Sequence, residues 1–149
     1  MHPGVTGASM TDLPPLNEDN AGPGTALKPY EVTYDADFIA PLLSRTGESL
    51  DAYVYDGVAT VPPGVFLGAY GRLIHETFHY TTGVHVSSDM KVCQPAPVGT
   101  KARVSGQVLR LYERNGDKYV TFKVNIDDEG GDRLAEVEHS SIYAFRPRA

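Results

Sequence analysis

The stretch VPPGVFLGAYGRLIHETFHYTTG, residues 61–83, decides the fold of this chain. Pro63 suits the first turn of a helix, where its missing N–H group costs nothing. From there to about Tyr80 the apolar residues recur at helical spacing. They form one broad stripe, which consists of Phe66, Ala69, Tyr70, Leu73, Ile74 and Phe78. The stretch therefore predicts one long central helix.

Small residues form a second flank of this helix, at Gly64, Gly68 and Gly71. A glycine inside a helix costs about 1 kcal/mol relative to alanine. Because two of these glycines lie well inside the predicted helix, they indicate that another backbone approaches it closely.

After the helix the period of the apolar residues changes from 3.6 to 2, which is typical of strands. Alternation predicts four strands, at residues 84–92, 101–113, 119–127 and 133–145. Asn115-Gly116 is a strong hairpin signal between the second and the third. In the first of them the predicted core face consists of Val84, Val86, Ser88, Met90 and Val92. The helix is thus followed by an antiparallel meander.

Two shorter elements precede the helix. Residues 30–34 predict a strand, and residues 35–43 predict a short helix that Gly47 closes. Residues 1–29 are rich in proline and glycine and have no apolar period, which predicts a flexible arm. We therefore expect an arm over residues 1–29 and one folded domain over residues 30–149.

The composition fits a single acidic domain. The 149 residues include 19 acidic and 13 basic side chains, for a net charge of −6, whereas nucleic-acid binders usually have a basic face. The single cysteine, Cys93, excludes an internal disulfide framework and fits a reducing compartment. No apolar run reaches the roughly 18 residues of a membrane helix, and no signal peptide is evident. We expect a soluble, cytoplasmic protein.

A long helix with glycines, followed by a curved antiparallel sheet, resembles the α+β hot-dog fold, in which the sheet wraps one long central helix. Within that fold, residues 30–145 are most similar to the MaoC-like hydratase/dehydratase group. The resemblance implies an enzyme (a lyase) of fatty acid or polyketide metabolism. It would add water to a trans-2-enoyl thioester, or remove water from a 3-hydroxyacyl thioester. It further implies no cofactor, with coenzyme A or phosphopantetheine present as part of the substrate.

The family's acid/base pair is an aspartate followed five positions later by a histidine, in a Gly-Asp-x-Asn-Pro-x-His motif. The corresponding segment here is TGESLDAY, residues 46–53. It has Glu48 at the aspartate position and Tyr53 at the histidine position. A tyrosine with a pKa near 10 is a poor general base but can donate a hydrogen bond. The chain is therefore either an active enzyme with an altered pair, or the partner subunit of a dehydratase, which lacks the pair and shapes the acyl tunnel.

The resemblance also implies the remaining site residues. The backbone amides of Gly64 and Val65, at the start of the central helix, would polarise the thioester carbonyl. The wall of the substrate tunnel would consist of Val61, Pro63, Phe66 and Tyr70. The tunnel of the family lies at a dimer interface, so we expect a homodimer or a heterodimer with a second hot-dog subunit, and no nucleic-acid or membrane partner.

Two alternatives remain open at this point. A hot-dog acyl thioesterase would place a carboxylate, such as that of Glu48, against the thioester. A zinc-dependent hydrolase would use His75-Glu76-x-x-His79, whose histidines share one face of a helix, with His85 as a third ligand. Against zinc, Thr82 stands where the longer motif has glycine, and His85 lies in a predicted strand.

Overall fold

The computed structural model of the protein describes residues 12–148. Its helices are α1 (Ala36–Thr46), α2 (Gly64–Leu67) and α3 (Tyr70–Thr77), and a 3-10 turn spans Leu50–Tyr53. Its strands are β1 (Tyr30–Tyr34), β2 (Val54–Tyr55), β3 (Val58–Ala59), β4 (Val84–Val92), β5 (Thr100–Arg114), β6 (Asp117–Asp128) and β7 (Arg133–Ala144). No helix in this described part of the chain is long and apolar enough to cross a membrane.

Five strands form one antiparallel sheet in the spatial order β1-β5-β6-β7-β4, and β2 and β3 form a separate small hairpin. The predicted meander is confirmed for β5, β6 and β7, which are neighbours along the chain and in space. Its predicted first strand, β4, does not pair with β5 but with β7. Asn115 and Gly116 both have positive φ, as the turn of a tight hairpin requires. The edges of the sheet are β1 and β4.

The sheet and the central helical segment share one hydrophobic core. From the helices, Phe66, Leu73 and Ile74 are buried against the sheet. The buried sheet residues that face them are Val104, Val108, Val120, Phe122, Val124, Ile126 and Val137. The antiparallel sheet thus wraps the helical segment, as the resemblance to the hot-dog fold implies.

The central helix differs from the prediction of one long helix over residues 63–80. Between α2 and α3, the N–H groups of Ala69 and Gly71 bond to carbonyls three residues earlier, at 3.2 and 3.4 Å, which is the tighter 3-10 pattern. Gly68 contributes to this break, because glycine favours the helix least after proline. The segment also ends early, at Thr77, because Phe78 has extended backbone angles.

The prediction of a close backbone approach at the helix glycines is also wrong. A Cβ atom on Gly71 would meet no atom within 4 Å, and one on Gly68 would meet only the Val65 carbonyl oxygen of its own helix, at 3.8 Å. The close approach lies instead in the sheet. A Cβ on Gly106 would lie 2.5 Å from the Lys123 carbonyl oxygen and 3.3 Å from a Leu73 methyl.

Residues 12–29 do not meet the expectation of a flexible arm. Leu16, Ala21 and Leu27 are buried in the core, and backbone hydrogen bonds join the segment to His79 and to β5. The burial of scattered apolar residues has no period, so the sequence pattern could not reveal it. The first eleven residues of the predicted arm lie outside the described range.

The predicted core face of β4 is only partly buried, at Ser88 and Met90. Val84, Val86 and Val92 are 43%, 47% and 44% exposed. A bulge between His85 and Ser87 shifts the register against β7, and β4 has a neighbour on one side only. The position of β4 at the edge of the sheet explains why these valines are exposed. Alternating apolar residues are buried only where another layer of the protein covers their face of the strand.

Candidate functional site

The 3-10 turn brings Glu48 and Tyr53 together. Gly47 ends α1 with φ of 71°, a conformation that glycine adopts without strain. The Ser49 hydroxyl then accepts a hydrogen bond from the Asp51 N–H at 3.1 Å, which starts the turn. As a result, the segment folds back on itself and places the side chains at its two ends side by side.

The Tyr53 hydroxyl donates a hydrogen bond to the Glu48 carboxylate. This bond is the first cause of a raised pKa at Tyr53, and the negative charge of Glu48 acts in the same direction. Tyr53 therefore keeps its proton at neutral pH and acts as a donor. The spacing of five residues between Glu48 and Tyr53 therefore brings their side chains into direct contact.

A cavity of about 350 Å³, the Tyr53 cavity, lies beside this pair. Its lining includes Tyr53 and three of the four predicted wall residues, Val61, Pro63 and Phe66. The opposite side consists of residues 92–96, which include the exposed Cys93. The start of α2 and the turn after α1 thus meet at one apolar cavity, which Tyr53 lines and to which Tyr53 links the Glu48 carboxylate by its hydrogen bond.

One of the two predicted amide donors, that of Val65, already has a hydrogen-bond acceptor within the chain. The Val65 N–H donates to the Pro62 carbonyl oxygen at 3.0 Å, so in this structure it is not free to polarise a ligand. The Gly64 N–H has no acceptor among residues 12–148, but it lines a different cavity from Tyr53, together with Val65. The four-residue α2 provides little helix dipole, since that dipole sums over aligned peptide units.

Tyr70, the fourth predicted wall residue, lies in another cavity of about 380 Å³, which we call the His139 cavity. Its ring stacks on the ring of His139 at a centroid distance of 3.6 Å. The ring of His85 lies beside His139 at a centroid distance of 4.8 Å, and it is 6.4 Å from the ring of Tyr70. The three rings are nearly parallel, with angles of at most 13° between their planes.

Three side chains that line this cavity, His85, His139 and Ser141, form a continuous hydrogen-bond series together with Ser88. His85 Nε2 lies 2.9 Å from Ser88 Oγ, and Ser88 Oγ lies 3.3 Å from His139 Nδ1. On the other side of the ring, His139 Nε2 lies 2.7 Å from Ser141 Oγ. The series runs from the exposed His85 to a hydroxyl that lines the cavity.

His139 is 1% exposed. Burial lowers the pKa of its imidazole to about 4, and the neighbouring His85 adds to the effect. The ring is therefore neutral at pH 7, with one nitrogen that donates and one that accepts. No sequence motif indicated this residue, because Tyr70, His85 and Ser88 are distant from it in sequence. The alternation of β7 puts it only on the same strand face as Val137 and Ser141.

The structure does not support the zinc interpretation. α3 ends at Thr77, so His75 and His79 do not share a helix face. His75 Nε2 instead lies 3.1 Å from the Tyr80 hydroxyl, and Glu76 forms an ion pair with Arg72 at 3.0 Å. Within residues 12–148, no group of three or more histidine, cysteine or acidic side chains is arranged to hold a metal ion.

A five-stranded antiparallel sheet wraps a central helical segment, and a loop with a paired carboxylate and phenol lies at the start of that segment. The chain has the hot-dog fold. Neither a family model nor a curated protein matches the sequence. The solved structures that share this hot-dog fold include MaoC-like dehydratases and (R)-hydratases.

Three of these structures illustrate the likeness. The monoamine oxidase regulatory protein from Archaeoglobus fulgius has a TM-score of 0.74 at 14% identity, over 89% of this chain and 97% of that one. The R-hydratase PhaJ1 from Pseudomonas aeruginosa has a TM-score of 0.69 at 10% identity, and the match covers 91% of this chain and 89% of that one. The HadBC (3R-hydroxyacyl-ACP dehydratase) complex from Mycobacterium tuberculosis has a TM-score of 0.64 at 13% identity, and the match covers 80% of this chain and 96% of that one. At these identities the likeness establishes the fold.

Proposed function

We propose that this hot-dog protein acts on acyl thioesters of coenzyme A or an acyl carrier protein as a hydratase or dehydratase. The observation that carries the proposal is the hydrogen bond between Tyr53 and Glu48 beside the Tyr53 cavity. The two residues stand at the spacing of the acid/base pair in the family that the sequence resembles. The apolar wall of the cavity suits an acyl chain, and the thioester would lie beside this pair.

The two side chains would divide the work between them. Tyr53 keeps its proton and donates it to Glu48 in this structure; in the reaction its hydroxyl would turn from Glu48 to donate to the thioester carbonyl or to the substrate hydroxyl. Glu48, as a carboxylate, would accept a proton from the water that attacks C3 and pass it to C2 of the resulting enolate, and it would run the same transfers in reverse in dehydration. The reaction needs no cofactor, because coenzyme A or phosphopantetheine belongs to the substrate.

A second candidate is the partner subunit of a heterodimeric dehydratase. Tyr53 cannot replace histidine as a base while Glu48 holds its proton in place, and this observation favours a subunit that shapes the acyl tunnel. The edge strand β4 would carry the second hot-dog chain. Its outer side pairs with no strand of residues 12–148, and three of its valines are exposed. HadBC is solved as a complex of this fold.

The experiment that tests the proposal is a hydration assay with a trans-2-enoyl-CoA, in which enoyl absorbance and free thiol are followed in the same sample. Loss of enoyl absorbance without thiol release supports a hydratase. Activity only after addition of a second hot-dog chain supports the partner subunit. Thiol release without prior hydration would overturn both and assign a thioesterase.

The proposed location of the protein is the cytoplasm, because its single cysteine suits a reducing compartment.

A further inference from the structure

The His139 cavity is separate from the Tyr53 cavity, and no residue lines both. Its volume of about 380 Å³ falls in the range of small-molecule sites. Aromatic rings form much of its wall, from Tyr70, Tyr80, Phe122 and Tyr143. Rings in such a wall favour an aromatic ligand, through stacked and edge-to-face contacts.

The charges around the cavity favour a neutral ligand. Among the described residues that line it, none is a lysine, arginine, aspartate or glutamate. The titratable side chains there are the tyrosines and His75, His85 and His139, and the buried His139 is held neutral by its surroundings. An ionised ligand would find no full opposite charge, and the burial of an unpaired charge is costly.

The polar groups of the wall converge near Ser141. Its hydroxyl lies 2.7 Å from His139 Nε2 and lines the cavity. A hydroxyl group has one proton to donate and can also accept. When the Ser141 proton points to His139 Nε2, the Ser141 oxygen is left as an acceptor for a donor inside the cavity.

We propose that the His139 cavity binds a neutral ligand with an aromatic body and one hydroxyl group. The ligand hydroxyl lies beside Ser141, and its proton exchanges with solvent through His139, Ser88 and His85. This site is distinct from the proposed thioester site and does not rest on it.

The proton transfer balances along the hydrogen-bond series. The ligand O–H gives its proton to Ser141 Oγ, while the Ser141 proton moves to His139 Nε2. His139 releases its Nδ1 proton to Ser88 Oγ, and Ser88 passes its own proton to His85 Nε2. The exposed His85 then releases a proton from its other nitrogen to water. Each intermediate group gains one proton and loses one. Because no lysine or arginine of residues 12–148 lines the cavity to stabilise the ligand anion, the reverse transfer follows at once and the bound ligand stays neutral apart from this exchange.

Binding is tested by NMR titration of the full chain with three probes of one shape, 4-ethylphenol, ethylbenzene and 4-ethylbenzoate. We expect 4-ethylphenol to shift the ring signals of His139 and Tyr70. It should bind about tenfold more tightly than ethylbenzene, because one hydrogen bond contributes about that much affinity. The anionic 4-ethylbenzoate should bind most weakly. Equal affinities, or no shift up to the solubility limit of 4-ethylphenol, would overturn the proposal without any variant.

Variants then test the position of the hydroxyl. Ser141→Ala should reduce the affinity for 4-ethylphenol about tenfold and leave that for ethylbenzene unchanged. Ser87→Ala, on the exposed part of β4, should change neither. Ser88→Ala should leave the affinity unchanged but slow exchange of the bound hydroxyl proton with water. Equal losses in Ser141→Ala and Ser87→Ala would contradict the proposed contact. Competition between hexanoyl-CoA and 4-ethylphenol would assign the cavity to an acyl tunnel instead, whether or not the enzyme hydrates enoyl thioesters.

Discussion

The imidazole of His139 packs against the ring of Tyr70 and beside the ring of His85, at centroid distances of 3.6 and 4.8 Å. Tyr70 belongs to α3 and His85 to the edge strand β4, so this stack joins the helix to two strands of the sheet. A protonated imidazole at this position would lose its hydration and face His85. The stack therefore couples the stability of the fold to pH.

We expect stability to fall as the pH drops from about 6.5 to about 4. In the unfolded chain His139 takes up its proton at its ordinary pKa of 6.5, but in the folded chain only at about 4. Between these values the unfolded state binds more protons, which favours unfolding, by up to about 3 kcal/mol at the acid end. Denaturant unfolding at a series of pH values measures this slope.

The variant His139→Phe keeps a ring in the stack and removes the titrating group. It should flatten the slope between these pH values, even if it lowers stability at pH 7. His75→Asn, at an exposed position, serves as the control and should keep the slope of the natural chain. An unchanged slope in His139→Phe would show that another group causes the pH dependence.

Gly106 should tolerate no side chain. A Cβ there would lie 2.5 Å from the Lys123 carbonyl oxygen, and this backbone atom cannot move without a shift of β6. We expect Gly106→Ala to lower the free energy of unfolding by about 2 kcal/mol or more, as measured by chemical denaturation.

Gly71→Ala is the matched control for Gly106→Ala. It lies in α3 with no atom within 4 Å of the added Cβ, so it should leave stability unchanged or raise it by up to about 1 kcal/mol. A larger loss at Gly71 than at Gly106 would contradict the assignment of the close approach to the sheet.

Leu27 should contribute to the core although it lies in a segment that its composition predicts to be flexible. It is 3% exposed, and its N–H bonds to the Gly106 carbonyl oxygen at 2.9 Å. Leu27→Ala should destabilise the chain by about 2–4 kcal/mol, as large-to-small core substitutions do. Asp19→Ala, exposed in the same segment, should have little effect. Equal melting temperatures for the two variants would support a mobile arm.

These contrasts show how far sequence alone determines this fold. The meander was predictable because β5, β6 and β7 bury one face each and carry a tight Asn115-Gly116 turn. The packing of Leu16 and Leu27 was not, since an irregular segment buries single residues without a period. The Glu48–Tyr53 contact could be anticipated from spacing, whereas the His139 series joins strands that only the tertiary fold brings together.

The edge strand β4 should carry the second hot-dog chain. Val86 is 47% exposed there, and a lysine on an edge strand opposes pairing with another strand. Val86→Lys should shift the protein toward the monomer in light scattering coupled to gel filtration. Thr33→Lys, on the opposite edge strand β1, should not. Dissociation by Thr33→Lys but not by Val86→Lys would place the interface at the other edge.

The rate of enoyl-thioester hydration by Glu48→Gln tests the central proposal most directly. The amide keeps the shape of the side chain but cannot take a proton from water, so we expect a rate about 100-fold below that of the natural chain. Asp51→Asn, an exposed acid in the same turn, should hydrate at the natural rate. A Glu48→Gln variant as active as the natural chain would contradict the role of the Glu48–Tyr53 pair.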